Sequence, residues 1–341
     1  MVDRPTIADL ATAAGVSVAT VDRVLNRRLP VRGDTAQRVV QAAEQIGFHA
    51  TGLLKKRMIE LPTRRFGFLL QKRNVFYQAV GAALHEASLA EVRMQVKPTI
   101  EYVDELDPET IALRMQRLAA KVNALAVVAV DHPVVNDAVE TIIQSGKPVF
   151  CLVSDLSTPR RSGYAGADKR KSGRSAAWLI SRLAHHSGKV GIVLGSHRYL
   201  SQEDSEISFR SFMREHAPDM ELLEPVINYD DDAVSHHVVM QLIRDNPDIT
   251  GLYNAGGGQD GMIQAVRECA PDGHLSVVCN ELMPASRSAL IDGTVDLVLG
   301  TPLPVVAHKT VEMMGMATHA IDGHFDKLNL FRPDLFVSEN L

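Results

Sequence analysis

The chain has 341 residues, 45% hydrophobic and 23% charged, with three cysteines and a formal charge of −5. That balance excludes a disordered or fibrous polypeptide and suggests two or three domains, each able to bury a core. No run approaches the ~20 uninterrupted apolar residues of a membrane span, and the opening MVDRPTIADL lacks the basic-then-apolar layout of an export signal, so a cytoplasmic protein without membrane attachment is expected.

The charge is unevenly spread. Residues 1–58 hold nine Lys or Arg against five Asp or Glu, a net of +4, which leaves −9 for the remainder. A basic head on an acidic body is the asymmetry expected when one domain meets phosphates and the other does not.

Within the head, TIADLATAAGV places Ile7, Leu10, Ala11 and Ala14 on one helical stripe, with Thr6 as N-cap, Asp9 at the third position and Gly15 as the stop. Ser17 caps a second helix whose buried side holds Val18 or Ala19, Val21, Val24 and Leu25, and Asn26 ends it. Two short helices around a glycine turn make a helix-turn-helix. In that geometry the second helix lies in a major groove. Arg23 can pair bidentately with guanine there, whereas Val18 and Ala19 can make only apolar contact, for instance with a thymine methyl. The same spacing also suits a helical hairpin that merely props the N-terminus.

RLPVRGDTAQRVVQAAEQIGF supplies a third helix, capped at Asp34 or Thr35, with Val39, Ala42, Ala43 and Ile46 facing inward. The short basic segment HATGLLKKRMIELPTRR follows. TIADLATAAGVSVATVDRVLN and VRGDTAQRVVQAAEQIGF together resemble the N-terminal domain of the LacI family of bacterial transcription repressors over about the first 50 residues.

The resemblance implies that Val18, Ala19 and Arg23 read bases and that Ser17, Thr20 and Asn26 face the DNA backbone, with Thr6 also in the DNA-binding set. Two departures stand out. The family usually has serine where this chain has Asp22, a charge that a phosphate would repel and that is expected to turn toward Arg32 or Arg38. The family's hinge helix wedges a leucine into the minor groove, where this chain has Arg57. Leu53 or Leu54, one turn earlier, is the wedge if the helix is shifted; otherwise Arg57 enters the groove and the bend is smaller. In either case Lys55, Lys56 and Arg57 are phosphate or groove contacts, with a solvated charge run as the alternative.

From Arg65 onward strand and helix alternate: RFGFLLQ, NVFYQAVGAALHEASLA, MQVKPTIEYV, DPETIALRMQRLAAK, ALAVVAV, HPVVNDAVETIIQSG and PVFCLV. A second set runs from SGRSAAWLISRLAHH and KVGIVLG through SEISFRSFMREHAP, ELLEPVINY and DAVSHHVVMQLIRDNP to ITGLYNAG, GMIQAVRECA, LSVVCNE, PASRSALIDG and DLVLG. Such alternation predicts parallel sheets with right-handed crossovers. Two doubly wound halves around a crevice resemble the sugar-binding proteins of the periplasm, as the LacI family's body does. The expected fold is therefore α/β: a three-helix head at 1–48, a hinge at 49–64, and a two-lobed periplasmic-binding-protein-like domain of type I at 65–341.

In an open α/β sheet the ligand lies beyond the carboxyl ends of the strands. The polar residues there are Lys72, Arg73, Asn74, Phe76 and Tyr77, then Asp131 and His132, then Ser154 and Asp155. The second half adds Ser196 to Tyr199, Asn254, Asn280, Glu281 and Thr301. Carboxylates and amides pair hydroxyls while Phe76 and Tyr77 cover an apolar sugar face, so a polyol suits the set.

By resemblance, Asn74, Phe76, Asp131, Asn254 and Glu281 stand where sugar-binding relatives place ligand contacts. Ser205 replaces an arginine common at the start of its helix, and Thr301 replaces a glutamine, so a different ligand or a weakened site is implied. The expected ligand set is Asn74, Phe76, Tyr77, Asp131, His132, Ser205, Asn254, Glu281 and Thr301, with loop capping as the alternative for any one of them.

Enzyme motifs are missing. NAGGGQDG lacks the GK[ST] of a phosphate loop, the histidine pairs lack HExxH or cysteine partners, and no nucleophile elbow is present, so neither catalysis, cofactor nor metal is expected. Cys151, Cys269 and Cys279 sit in or beside apolar runs and read as buried structural thiols. The resulting expectation is a DNA-binding regulator, a homodimer on a pseudo-palindromic operator, whose lobe angle answers to a sugar or polyol effector. Its rivals are a regulator whose degenerate crevice is only a dimer scaffold, and a solute-binding protein with an appended head.

Overall fold

The computed structural model describes residues 5–26, 31, 33–51, 61–71, 75–104, 107–184, 188–269, 275–321 and 323–341. They fall into two compact units divided between Pro62 and Thr63.

The first unit contains α1 (Ile7–Ala14), α2 (Val18–Asn26) and α3 (Gly33–Gln45). Its first helix opens on the expected capping box: the Asp9 amide donates to Thr6 Oγ1 at 3.3 Å and the Thr6 amide to Asp9 Oδ2 at 2.8 Å. Donation by the Thr6 amide, and by the Thr6 hydroxyl, holds the Asp9 carboxyl below its ordinary range. Gly15 ends the helix at φ 63°, a left-handed conformation that glycine enters without a Cβ clash. Leu10, Ala11, Ala14, Val21, Leu25, Val39, Val40, Ala42, Ala43 and Phe48 close a single apolar cluster. Ile7, expected on the inner stripe, is 39% exposed as the first residue of its helix.

The second unit begins with β1 (Thr63–Gln71), α4 (Val75–Ala90), β2 (Gln95–Val103), α5 (Pro108–Ala119), β3 (Ala124–Val127), α6 (Pro133–Gln144), β4 (Val149–Leu152) and β5 (Gly163–Ala167). It continues with α7 (Lys169–Leu183), β6 (Lys189–Leu194), α8 (Leu200–His216), β7 (Glu221–Leu222), β8 (Val226–Ile227), α9 (Asp232–Asp245), β9 (Ile249–Asn254), α10 (Gln259–Cys269), β10 (Ser276–Asn280), α11 (Pro284–Asp292) and β11 (Leu297–Gly300). Then come α12 (Leu303–Ala317), β12 (Leu328–Phe331) and β13 (Asp334–Phe336).

Two sheets result. The first runs β12-β5-β4-β3-β1-β2, parallel throughout; the second runs β13-β11-β10-β9-β6-β7, with only β13 antiparallel and β8 pairing β6 off the path. Helices cover both faces of each sheet, so the strands are apolar on both sides: Phe66, Phe68 and Leu70 of β1 enter one cluster and Leu69 the other. The second sheet is likewise sandwiched between two clusters, one holding Val193 and Cys279, the other Ile192 and Val278.

Four elements lie outside the periodic reading: β5, α12, β12 and β13. The segment GYAGA of β5 has only small residues besides one tyrosine, and β12 and β13 are short strands at the edges of the two sheets. Pro225 also splits the single strand expected over ELLEPVINY into β7 and β8, since proline cannot donate to a ladder. These elements matter because they tie the lobes together. The chain leaves the first lobe after β5, returns after β11 to lay α12 against α4 and β5, and crosses again between β12 and β13.

Cys151 and Cys279 are fully buried and Cys269 partly so, all as free thiols. Burial pushes the Cys279 thiol up to about 12. No described helix is long and apolar enough to cross a membrane.

Candidate functional site

Two surfaces carry the predicted site residues, one in each unit. In the first, α2 divides its faces cleanly. Val21 and Leu25 are buried, while Ser17, Val18, Ala19, Arg23 and Asn26 are exposed, Val18 at 52%. The alternative placement of Val18 or Ala19 on the inner side is therefore ruled out. Thr20 is half-buried, its amide donating to Ser17 Oγ at 3.2 Å, and the two hydroxyls lie 2.9 Å apart. Asp22 accepts a 2.6 Å hydrogen bond from Asn26 Nδ2, which draws the carboxylate along its own helix and uses one of the two Asn26 amide donors. Thr6 is exposed, with its hydroxyl donating to Asp9 at 2.7 Å. Leu53, Leu54, Lys55 and Arg57 of the predicted hinge lie outside the described residues, as does Asn74 of the crevice.

In the second unit, the strand ends of the two lobes face each other across a cavity of about 50 Å³. Of the residues named at strand ends, Phe76, Tyr77, Tyr199, Asn280 and Glu281 line it, and Phe76, Tyr77 and Glu281 belong to the expected ligand set. Phe76 and Tyr77, on the first turn of α4, meet edge to face with ring centres 5.2 Å apart. Burial drives the Tyr77 hydroxyl well above its usual range, and the charges of Asp230 and Glu281 push the same way, so it stays a protonated donor.

Glu281 follows β10 and is held from two sides. Thr301 donates its amide to Oε2 at 2.8 Å and its hydroxyl to Oε1 at 2.7 Å, while Lys169 Nζ approaches Oε1 at 3.3 Å. Lys169 opens α7 just after the first crossing, and no residue-type signal in its neighbourhood marks it in advance. Asp230 is the second carboxylate of the wall: its Oδ1 accepts from the Gly257 amide at 2.6 Å and from Gln202 Nε2 at 3.3 Å. Gln202 Oε1 in turn accepts from the Gly195 and Ser196 amides, at 2.7 and 3.1 Å. Val153, Asp230 and Glu281 all have φ between 55° and 66°, so three side chains of the cavity wall stand on left-handed backbone. Strain held at strand ends beside a cavity is the usual signature of a site.

The remaining predicted residues that the structure describes do not line the cavity. Asp131 accepts from Asn136 Nδ2 and from the amide and hydroxyl of Ser157, each at 2.9 Å. His132 caps α6 by accepting from the Val134 amide at 3.3 Å. Asn254 shapes the turn after β9, donating to the Gly257 carbonyl at 3.1 Å and accepting from the Gly256 amide at 2.9 Å. Ser205 is not at the start of its helix but inside α8, fully buried, bonded to the carbonyls of Ser201 at 3.0 Å and Lys169 at 3.3 Å. Thr301 acts through Glu281. Gln202, Asp230, Gln259 and Lys169 are wall residues that strand-end reading missed: Gln202, Gln259 and Lys169 project from helices, and Asp230, directly after the strand expected over ELLEPVINY, was passed over although it stands at a strand end. Among the described residues no group of three or more His, Cys, Asp or Glu side chains is placed to hold a metal.

Residues 74–319 match the family model described as a periplasmic binding protein domain, and residues 6–50 match bacterial regulatory proteins of the lacI family. Two curated relatives are the HTH-type transcriptional regulators reg1 of Streptomyces lividans, 27% identical over 57% of this chain and 54% of its own length, and MalR of Streptomyces coelicolor, 25% identical over 57% and 55%. The aligned part spans little more than half the length of each. A solved solute-binding protein of an ABC transporter from Burkholderia graminis, in complex with D-arabinose, superposes with a TM-score of 0.75 at 18% identity over 81% of this chain and 96% of its own. One from Agrobacterium vitis, bound with α-D-tagatopyranose, gives 0.74 at 17% over 81% and 95%. At such identity the likeness is one of fold.

Proposed function

The chain belongs to the periplasmic binding protein domain family and carries a head of the lacI regulatory type, and from that premise we propose that it is a sequence-specific DNA-binding transcriptional repressor controlled by a small sugar- or polyol-like effector. The observation that supports this most directly is the division of α2. Val21 and Leu25 do the packing, and Ser17, Val18, Ala19 and Arg23 are left exposed on a slim helix. Small side chains permit close approach to base edges, and Arg23 supplies a fork donor. One such head spans a half-site, so the working species is a homodimer on a pseudo-palindromic operator, in the cytoplasm with the DNA.

The crevice supports the effector half of the proposal. Carboxylates at Asp230 and Glu281, a lysine, and the aromatic pair Phe76 and Tyr77 are the donors, acceptors and apolar face that a polyhydroxylated ring requires. An effector can shift DNA affinity only by binding one lobe arrangement better than another. D-arabinose and D-tagatose, carried by the two fold neighbours, are the first probes.

Selection of duplexes from fragmented genomic DNA at moderate salt, with and without a panel of sugars and inositols, tests the whole reading. A recurrent inverted-repeat motif whose recovery changes with one sugar is expected. Recovery no better than random duplex under every condition would overturn it. A second reading, a regulator whose crevice is only a dimer scaffold, draws support from the size of the cavity and from Ser205 and Thr301, which stand behind its wall.

A further inference from the structure

Between β6 and α8 the second lobe sends a short segment across to the first. Its Tyr199 is 2% exposed and belongs to the apolar cluster of the first lobe, with Leu69, Val130, Leu156 and Tyr164. Gln71, at the end of β1, donates through Nε2 to the Tyr199 hydroxyl. The contact is flanked on both sides. The Asp131 amide donates to the Arg198 carbonyl at 2.8 Å, and the Ser201 amide donates to Ser154 Oγ at 3.3 Å. Three consecutive strand ends of the first lobe, those of β1, β3 and β4, are thus bonded to three residues of the second, Arg198, Tyr199 and Ser201.

Tyr199 also lines the cavity, and the cavity holds only about 50 Å³. A water molecule needs about 10–15 Å³ of such space, and ligand pockets run from about 300 Å³ upward. A sugar ring therefore cannot enter while Tyr199 stays in the first lobe and the lobes stay closed.

We propose that Tyr199 is a latch that holds the two lobes closed without an effector, and that its withdrawal from the first lobe sets the size of effector the crevice admits. This rests on the reading of the crevice as the effector site. Closure in most two-lobed binders is driven by the ligand that bridges the lobes. Here a tyrosine of the protein makes that bridge, with its ring in the apolar cluster and its hydroxyl on a strand-end amide. Effector binding then competes with the latch, so apparent affinity is lowered by the fraction of molecules that are latched.

Hydrogen exchange of the ligand-free full chain, followed in peptides covering residues 128–132 and 198–202, decides the latch without any ligand. The Asp131 and Ser201 amides are interlobe donors, so they should be protected in the wild type and exchange ~10-fold faster in Tyr199→Ala. Tyr199→Phe keeps the ring and loses the hydroxyl, and Gln71→Leu removes the same bond from the other lobe. Both should fold and fall between the two extremes. Equal exchange in all four proteins would overturn the latch.

Thermal shift with D-arabinose, D-glucose, myo-inositol and maltose then tests size selection. A sugar that stabilises Tyr199→Ala at ~10-fold lower concentration than the wild type supports it. A sugar bound equally by both overturns it. If no sugar stabilises either protein, the effector reading and the size-setting role fall together, while the exchange rates still decide the latch.

Discussion

Thr301 holds Glu281 at both carboxylate oxygens, amide to Oε2 at 2.8 Å and hydroxyl to Oε1 at 2.7 Å. The two residues sit at the ends of neighbouring parallel strands, β10 and β11, so backbone pairing alone brings them together. A residue that looked like the loss of a ligand-binding amide is a clamp that aims a carboxylate at the cavity. Thr301→Val keeps the shape and removes the hydroxyl donor, leaving Oε1 to Lys169 alone among the partners described here. The cost should be about 1–3 kcal/mol in urea unfolding, and any sugar bound by the wild type should bind more weakly. An unchanged unfolding midpoint would mean that the hydroxyl bond contributes nothing.

Ser205 makes a second prediction through Gly173. A Cβ on Gly173 would lie 2.1 Å from the Ser205 carbonyl oxygen and 2.3 Å from Ser208 Oγ, so α7 and α8 touch through that glycine. Backbone cannot swing aside as a side chain can. Gly173→Ala should lower stability by about 1–3 kcal/mol or more despite alanine's better helix propensity. A melting temperature equal to or above that of the wild type would show that the helices are not so close.

The ion network of Glu91, Arg93 and Glu312 predicts acid sensitivity in the first lobe. Burial alone would raise the Glu91 carboxyl, but hydrogen bonds and charge from Arg93 outweigh it and hold it below the ordinary range. Glu312, against Lys309 and Arg93, is likewise held low. A depressed carboxyl stabilises the fold above its unfolded value, about 4.3 for glutamate, and that contribution disappears as pH falls through the lower folded value. Replacing Arg93 by Gln removes the compensation and leaves burial, so acid unfolding of the variant should begin at higher pH than in the wild type. Coincident acid transitions, followed by circular dichroism, would remove Arg93 from this role.

Arg23→Ala and Lys55→Ala should fail in different ways. A fork donor lost from the exposed face of α2 should cost about 1–3 kcal/mol on the preferred operator and relax preference at one base position. A lysine on the backbone should weaken all duplexes alike and reduce the salt slope by about one. Equal loss on every sequence for Arg23→Ala, in a fluorescence anisotropy titration against shuffled operators, would strike it from the base-reading set.

Local signals carried much of this. Thr6 and Asp9 three residues apart, a glycine at 15 and the stripe of Leu10, Ala11 and Ala14 are short-range patterns, and the folded head reproduces them. Alternation of apolar strands and amphipathic helices likewise foretold two parallel sheets, because burial on both faces demands it. The strand-end rule named Phe76, Tyr77, Tyr199, Asn280 and Glu281, all of which line the cavity. It also named Asp131, His132 and Asn254, which do not line the cavity, because a polar side chain after a strand can turn either to the cavity or to its own loop, and the choice depends on neighbours far along the chain.

Chain order was thus enough for the head, the strand and helix alternation and the general location of the crevice, since each follows from periodicity and capping within a few residues. The identity of the wall was not, nor was its closure. Lys169 meets Glu281 across 112 positions and Gln71 meets Tyr199 across 128. The first pairing needs the second lobe assembled around its own sheet, the second needs the crossings that set the lobes face to face, and no local propensity encodes the distance between residues that folding alone makes neighbours.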